Sequence, residues 1–149
     1  MRVAIACDHA GLELKQAIMR GLPAVQWQDL GTYGPEPVDY PDLALAVAEE
    51  VRRGGGLGIL VCGTGAGMAI AANKVPGVRA AVAHETFTAR AVREHNAANI
   101  LCLGARVVGS GLALEVVRAW LGAAPREGRH RIRVDKIAAI ERHSGGDQR

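Results

Sequence analysis

A glycine-rich segment behind an apolar run has the composition of a reactive loop. The segment comprises Cys62, Gly63, Thr64, Gly65, Ala66 and Gly67, and residues 57–61 before it carry no charge. The pattern predicts a buried strand, a glycine loop (63–67) and then a helix, whose first N–H groups are free to bind an anion or stabilise an oxyanion. The positive helix end also favours a thiolate at Cys62, able to act as base or nucleophile. A buried structural cysteine before a tight turn is the alternative, and the loop alone does not decide.

Two nucleotide-binding motifs resemble this loop without matching it. In a dinucleotide fingerprint the third glycine would fall at Met68, so the spacing fails, although Glu85 after the next strand could accept from a ribose. A phosphate-binding P-loop requires Gly-Lys-Ser/Thr, which does not follow. Both interpretations are therefore given little weight.

Asp8 and His9 end the first predicted strand. In a parallel sheet they would lie at the same edge as Cys62, where ligands bind beyond the carboxyl ends of strands. The carboxylate is suited to a sugar hydroxyl and the imidazole to an anionic group. Alternatively, Asp8 caps the next helix and His9 is simply exposed.

His95 and Asn96 follow the helix that precedes the last strand. That helix runs back against the strands, so its end lies at the opposite edge from Asp8 and Cys62. If His95 serves the same site, we expect it to come from a neighbouring subunit. The alternative is a histidine that interacts with the dipole of its own helix.

Three arginines are candidates for binding a phosphate. Arg129 and Arg133 are four residues apart on the last predicted helix and so share a face, where they could clamp a phosphate or remain solvated. Arg106 comes just after the last strand, at the favourable edge.

The elements that must position these residues alternate between strands and helices. Apolar runs predict strands at 3–7, 25–30, 57–62, 78–83 and 99–103. Helical periodicity and capping residues predict helices at 12–22, 42–53 (capped by Asp42), 68–74, 86–94, 109–121 and 126–142. This order is typical of a Rossmann-like, three-layer α/β/α fold with a doubly wound parallel sheet of about five strands. We expect one domain over residues 1–143, a loose tail at 144–149, and a last helix that packs on a neighbouring subunit.

Composition agrees with one packed domain. The 149 residues are 49% hydrophobic and 22% charged, values that exclude long-range disorder. The net charge of +3 comes from residues 126–149, which suits a small anionic ligand or a subunit contact better than nucleic acid. Three dispersed cysteines indicate reduced thiols in a cytoplasmic protein, with neither a disulfide framework nor a zinc site. The apolar run near the start of the sequence is too short for a signal peptide. The glycines of the uncharged stretch 54–73 argue against a membrane span.

Six segments in order along residues 3–142 resemble one family. They are Cys7-Asp8-His9-Ala10-Gly11, Asp39-Tyr40-Pro41-Asp42, Cys62-Gly63-Thr64-Gly65-Ala66-Gly67, Ala71-Ala72-Asn73-Lys74, Glu94-His95-Asn96 and Gly104-Ala105-Arg106-Val107-Val108-Gly109. The chain is thereby similar to the type B ribose-5-phosphate isomerases, within the sugar-phosphate isomerases that include galactose-6-phosphate isomerase. The resemblance implies an aldose-to-ketose isomerisation through an enediolate without cofactor or metal, in a homodimer or a pair of dimers.

The resemblance also implies a role for each matching residue. Cys62 would move the proton between C1 and C2, and Thr64 with the N–H groups of 65–67 would stabilise the enediolate oxygens. His95 would assist opening of the furanose ring, and Asp8 would bind the sugar hydroxyls. The phosphate would be held by His9, Arg129 and Arg133, with contributions from Arg106 and Asn96, and Tyr40 would line the pocket.

Two positions depart from the family pattern. One branch of the family has a glutamate as the base just beyond the glycine loop, and Met68 at that position cannot accept a proton. The base should therefore be Cys62. Ile132 is apolar where the pattern leads us to expect a polar residue on the last helix.

Two other functions remain open at this point. An isomerase of a six-carbon sugar phosphate, such as allose or galactose 6-phosphate, would have the same motifs with a longer pocket. A noncatalytic sugar-phosphate-binding module on the same fold is the alternative from another class. Cys62, His95 and the arginine pair argue against the second.

Overall fold

Five strands alternate with six α-helices in the computed structural model, which describes residues 1–54 and 56–145. The strands are β1 (Arg2–Cys7), β2 (Gln26–Asp29), β3 (Leu57–Cys62), β4 (Ala80–Val82) and β5 (Ile100–Gly104). The helices are α1 (Leu12–Gly21), α2 (Tyr40–Gly54), α3 (Ala66–Ala72), α4 (Thr86–Asn96), α5 (Ser110–Leu121) and α6 (Arg129–Ser144). A single 3₁₀ turn, His9–Gly11, leads into α1.

The strands form one parallel sheet in the order β2-β1-β3-β5-β4. From β1 the chain moves outward to β2, and from β3 it moves in the opposite direction to β4. β1 and β3 are neighbours, so the sheet has its topological switch point between them. The predicted doubly wound α/β fold is confirmed.

Helices cover both faces of the sheet, because the strand side chains alternate between two apolar clusters. One cluster joins Ile5, Ile59 and Leu101 to residues of α1, α4 and α5. The other joins Leu60 and Cys102 to residues of α2 and α3. The arrangement is the expected three-layer sandwich with the sheet in the middle.

The two edge strands are shorter than predicted. The expected strands at 25–30 and 78–83 are reduced to β2 and β4, which each pair with one neighbour only. Both are only half-buried along most of their length, in contrast to the fully buried centre of β3. An edge strand pairs along one side only, so its length is set by where pairing with that neighbour ends and not by the length of its apolar run.

All six helices differ from the predicted limits by one to three residues at one or both ends. α4 extends to Asn96, so His95 and Asn96 lie within this helix rather than after it. α2 begins at Tyr40, so Asp42 is not its cap but lies in its first turn, with its N–H donating to the Asp39 carbonyl at 3.3 Å. α3 begins at Ala66, two residues early, since the glycine loop turns directly into it. α6 begins at Arg129 rather than at 126, because Gly128 with φ of 69° interrupts the backbone. It extends to Ser144, which was assigned to the tail, and residues 146–149 of that tail lie outside the described residues.

α6 has no buried residue along its length. Ile132 and Ile140 are 60% and 66% exposed, although both are large apolar side chains. The helix lies against α4, and the Gly77 N–H donates to Glu141 at 3.1 Å. α6 therefore adds little to the core of its own subunit.

Candidate active site

The carboxyl ends of β1 and β3 bring Asp8 and Cys62 to the same edge of the sheet. Cys7 pairs with Val61, and the Asp8 N–H donates to the Val61 carbonyl at 3.1 Å. The next residues along the two strands are Asp8 and Cys62, so both lie at the switch point. Ligands of open α/β sheets bind at this position.

The Cys62 thiol is held by the loop that follows it. Its Sγ accepts a hydrogen bond from the Gly65 N–H at 3.1 Å, and the residue is 5% exposed. A backbone N–H pointing at the sulfur can stabilise a thiolate. By contrast, burial raises the pKa of the Cys7 thiol to about 11, and burial also raises the pKa of Cys102. These two cysteines are core residues.

Close packing against β5 shapes the glycine loop. Gly65 has φ of 79°, and a Cβ there would lie 3.0 Å from the Leu103 backbone. A Cβ at Gly104 would lie 2.7 Å from the backbone of Thr64. Thr64 is exposed, and its Oγ1 accepts from the Ala66 N–H at 3.2 Å. The loop thus presents a hydroxyl at a helix start. The Gly65 and Ala66 N–H groups are engaged with Cys62 and Thr64, so a substrate oxygen would have to replace these acceptors to be stabilised by them.

Tyr40 and Arg106 flank this loop. A Cβ at Gly67 would lie 2.7 Å from the Tyr40 ring, so the ring rests directly on the glycine. The Arg106 guanidinium lies 3.3 Å from the corresponding position at Gly63, and the Arg106 N–H donates to the Gly63 carbonyl at 3.0 Å. An aromatic side chain and a cation therefore border the same loop.

Asp8 and His9 have structural partners of their own. Asp8 is 7% exposed, and its Oδ1 accepts from the Gly11 N–H at 3.1 Å, so it caps the 3₁₀ turn that leads into α1 rather than α1 itself. His9 is exposed, and its Nδ1 accepts from the Val38 N–H at 3.2 Å. Capping does not prevent a contact with a ligand, because a carboxylate has two oxygens with several acceptor positions.

His95 and Asn96 lie away from this edge. α4 starts after the carboxyl end of β4, and its 11 residues run back against the strands over about 16 Å. Asn96, at its last position, lines a cavity of about 430 Å³ with Ala80 at the start of β4 and with Ile137 of α6. Within one subunit the structure does not bring His95 and Asn96 to Cys62.

The end of α4 instead meets the start of α6. The His95 ring is stacked on the His130 ring, with centroids 4.3 Å apart and planes 7° apart. Burial and the neighbouring positive groups, which include His95, Arg129 and Arg133, lower the pKa of His130. The predicted site residues therefore form two groups. The loop group consists of Asp8, His9, Tyr40, Cys62, 63–67 and Arg106, and the helix group of His95, Asn96, Arg129 and Arg133.

Two histidines near these groups were missed by the sequence analysis. His84 comes two residues after the end of β4, and its Nε2 accepts from the Gly104 N–H at 2.8 Å. Its place behind a strand was a signal that could have found it. His130 adjoins Arg129 on α6, but its stack on His95 depends on a contact between distant parts of the chain.

Three further observations bear on what the site can bind. Glu85 caps α4 by accepting from the Phe87 and Thr88 N–H groups at 2.6 and 2.7 Å. Hydrogen bonds from the Thr88 side chain first, and then from these N–H groups, lower the pKa of Glu85, so it is engaged in the fold rather than free for a ribose. Met68 is fully buried in the core, and its thioether cannot accept a proton, so this position does not supply the base. Among the described residues, no three His, Cys, Asp or Glu side chains are grouped so as to hold a metal ion.

No helix in residues 1–54 and 56–145 has the length and apolar character to cross a membrane.

Fold and site together define a class: a doubly wound α/β protein with a thiol and a glycine-rich loop at the switch point of its sheet. Comparison with known proteins narrows this class. A sequence model of the ribose/galactose isomerase family matches residues 3–137. The chain is 48% identical to ribose-5-phosphate isomerase B of Escherichia coli, over 94% of this chain and 96% of the relative.

Solved structures of ribose-5-phosphate isomerase B also match this chain. The structure of ribose-5-phosphate isomerase B from Clostridium thermocellum superposes with a TM-score of 0.94 at 52% identity, covering 97% of this chain and 99% of that one. The enzyme of the same name from Mycoplasma genitalium, solved with bound ribulose-5-phosphate, gives a TM-score of 0.90 at 42% identity over 95% and 96% of the two chains. The chain belongs to the ribose/galactose isomerase family.

Proposed function

We propose that the protein interconverts D-ribose 5-phosphate and D-ribulose 5-phosphate through an enediolate. The observation that carries this proposal is the Cys62 thiol, held by the Gly65 N–H at the start of the glycine loop. Relatives at 42% to 52% identity are named for this activity, and one of them holds the ketose product. The reaction belongs to the non-oxidative part of pentose phosphate metabolism.

The proton transfer needs a base and a site for negative charge. The Cys62 thiolate removes the proton from C2 of the open-chain aldose, and the electron pair moves to the C1 carbonyl oxygen. Thr64 and the N–H groups of 65–67 stabilise the enediolate oxygens. Cys62 returns the proton to C1, the C2 hydroxyl proton is transferred to O1, which becomes the C1 hydroxyl, and C2 becomes the carbonyl carbon. C2 is oxidised and C1 is reduced in the same molecule, so electrons balance without a cofactor.

The substrate must also be opened and anchored. His95 exchanges a proton with the furanose ring oxygen or the C1 hydroxyl, and Asp8 binds the sugar hydroxyls. Arg129, Arg133 and His9 hold the phosphate, assisted by Arg106 and Asn96, with Tyr40 lining the pocket. Binding the unreactive phosphate supplies energy that orients C1 and C2 towards the thiol.

We further propose a homodimer, or a dimer of dimers, in which each site combines the two groups from different subunits. The loop group of one subunit would receive the helix group of its partner. This arrangement follows from the position of His95 at the far end of α4 and from the exposed isoleucines of α6, which a neighbouring subunit would cover. A cytoplasmic location is part of the proposal, because Cys7, Cys62 and Cys102 are all free thiols.

The direct test is the conversion of ribose 5-phosphate by purified protein with a chelator present. We expect Cys62→Ala to lower turnover by at least about 10²-fold, the scale for loss of a general base. Cys7→Ala is the matched control, since it removes a buried thiol from the same sheet and should leave turnover near wild type.

Other outcomes would overturn the proposal. Near-wild-type turnover by Cys62→Ala would remove the thiol from the mechanism. Faster initial rates on allose or galactose 6-phosphate would make the protein a six-carbon isomerase. Tight binding of sugar phosphates without turnover would make it a binding module.

A further inference from the structure

The proton exchange proposed for His95 needs a fixed ring direction, which the exposed position of this residue does not by itself provide. It lies one residue before the end of α4, and its side chain is 41% exposed. An exposed side chain at a helix end can turn about its own bonds. A ring that exchanges a proton with a sugar needs a fixed direction, because misplacement by about 1 Å costs up to about 10²-fold in rate.

The stack with His130 supplies that restraint. The two rings are nearly parallel, 7° apart, at a centroid distance of 4.3 Å. The backbone at His130 is fixed as well, because the segment just before α6 is hydrogen-bonded to the end of α4. The Arg126 N–H donates to the Glu94 carbonyl at 2.8 Å, and its guanidinium lies 2.7 Å from the Glu94 carboxylate.

The surroundings of His130 favour a neutral ring used for its flat face. Its Nδ1 is buried without a hydrogen-bond partner in the described part of the chain. Charged groups face the ring from each element packed on it: Arg129 and Arg133 from α6, Arg126 from the preceding segment, and His95 from α4, with Glu94 beside His95. The excess of positive charge disfavours a proton on His130.

We propose that His130 is a positioning residue, whose ring, stacked on His95, fixes the direction in which His95 exchanges a proton with the sugar. The inference rests on the proposed isomerase function and on the part assigned there to His95. It differs from a direct contact between His130 and the phosphate, which the neighbouring arginines would also permit.

Steady-state kinetics with ribose 5-phosphate separate these roles. His130→Ala removes the ring, while His130→Phe keeps a flat ring without a nitrogen. We expect the alanine variant to lower kcat about tenfold, with KM within about twofold, and the phenylalanine variant to recover most of the loss. His143→Ala, another histidine of α6 that lies near its C-terminal end, is the control and should match the wild type.

A double-mutant cycle with His95→Ala tests whether His130 acts through His95. If it does, adding His130→Ala to His95→Ala lowers kcat little further, because the ring to be positioned is gone. A second full tenfold loss would contradict the proposal. So would a raised KM with unchanged kcat, a phenylalanine variant no better than alanine, or an alanine variant with wild-type kinetics. A wild-type protein without turnover would instead overturn the proposed function itself.

Discussion

The three cysteines show how the same side chain acquires different chemistry from its surroundings. Cys7 and Cys102 are fully buried strand residues, and burial raises the pKa of each. Cys62 is also buried, but it ends its strand where the chain turns, so its sulfur accepts a hydrogen bond from the Gly65 N–H. The position of Cys62 relative to the turn, rather than the residue type, makes it the candidate base.

His84 provides a test of a single titrating group. Its Nε2 accepts from the Gly104 N–H, which requires a neutral ring, and burial lowers its pKa. The unfolded protein therefore binds the proton more readily near its ordinary value of 6.5. The stabilisation from this pair is complete above about pH 6.5 and is lost as the pH falls below it.

Replacing His84 by glutamine should remove this part of the pH dependence. A glutamine oxygen can accept from the Gly104 N–H and does not titrate in this range. Urea unfolding at pH 7.5 and 5.5 should show a smaller drop in the free energy of unfolding for His84→Gln than for the wild type. Equal drops in the two proteins would mean that His84 does not contribute to the acid sensitivity.

Residue types alone allowed part of this site to be predicted. Asp8 and Cys62 were found because each ends an apolar strand, and polar residues at strand ends converge in a parallel sheet. The contact between His95 and His130 joins residues far apart in sequence, on two helices whose crossing depends on tertiary packing. Local patterns hold no information about such a contact.

At the scale of elements, the glycine loop depends on one backbone conformation. Gly65 has φ of 79° and lies close to the Leu103 backbone. An added Cβ is therefore strained by the left-handed backbone conformation and also by the contact with Leu103. Gly65→Ala should lower the free energy of unfolding by about 1–2 kcal/mol or more and turnover by at least about tenfold. Thermal unfolding and initial rates measure the two effects.

Gly111 is the matched control for this substitution. It lies in the first turn of α5, and a Cβ there meets nothing within 4 Å. Gly111→Ala should be neutral or stabilising by up to about 1 kcal/mol, because alanine favours a helix. If both alanine variants behaved alike, the conformation of Gly65 would not matter.

The type and order of the elements followed from sequence periodicity, whereas several limits did not. The buried strand at 57–62 was predicted with its full length, since both of its faces are covered. β2 and β4 lie at the edges of the sheet and were overestimated. The start of α6 depends on the positive φ of Gly128, and a glycine in the sequence does not by itself reveal that angle.

At the scale of the whole molecule, the packing within a single chain does not explain why α6 exposes large apolar side chains. Ile132 is 60% exposed on a helix without buried residues. If a neighbouring subunit covers this helix, Ile132→Glu should weaken the dimer at least about tenfold, because a buried carboxylate loses its hydration. Leu112→Glu makes the same kind of change at a 46% exposed apolar residue of another helix, α5, and serves as the control.

Light scattering after size exclusion, at a series of protein concentrations, measures this effect. The wild type and Leu112→Glu should have the mass of a dimer or larger assembly where Ile132→Glu is a monomer. Equal masses for all three proteins would show that α6 lies outside the interface at Ile132.

The central claim is that one active site takes Cys62 from one subunit and His95 from its partner. Cys62→Ala and His95→Ala subunits, each with turnover far below that of the wild type, should be mixed, unfolded, refolded together and assayed with ribose 5-phosphate. Each mixed dimer then contains one site with both residues intact, so random pairing should restore about a quarter of wild-type activity. No activity beyond that of the two parents would contradict a shared site and place both residues in the same subunit.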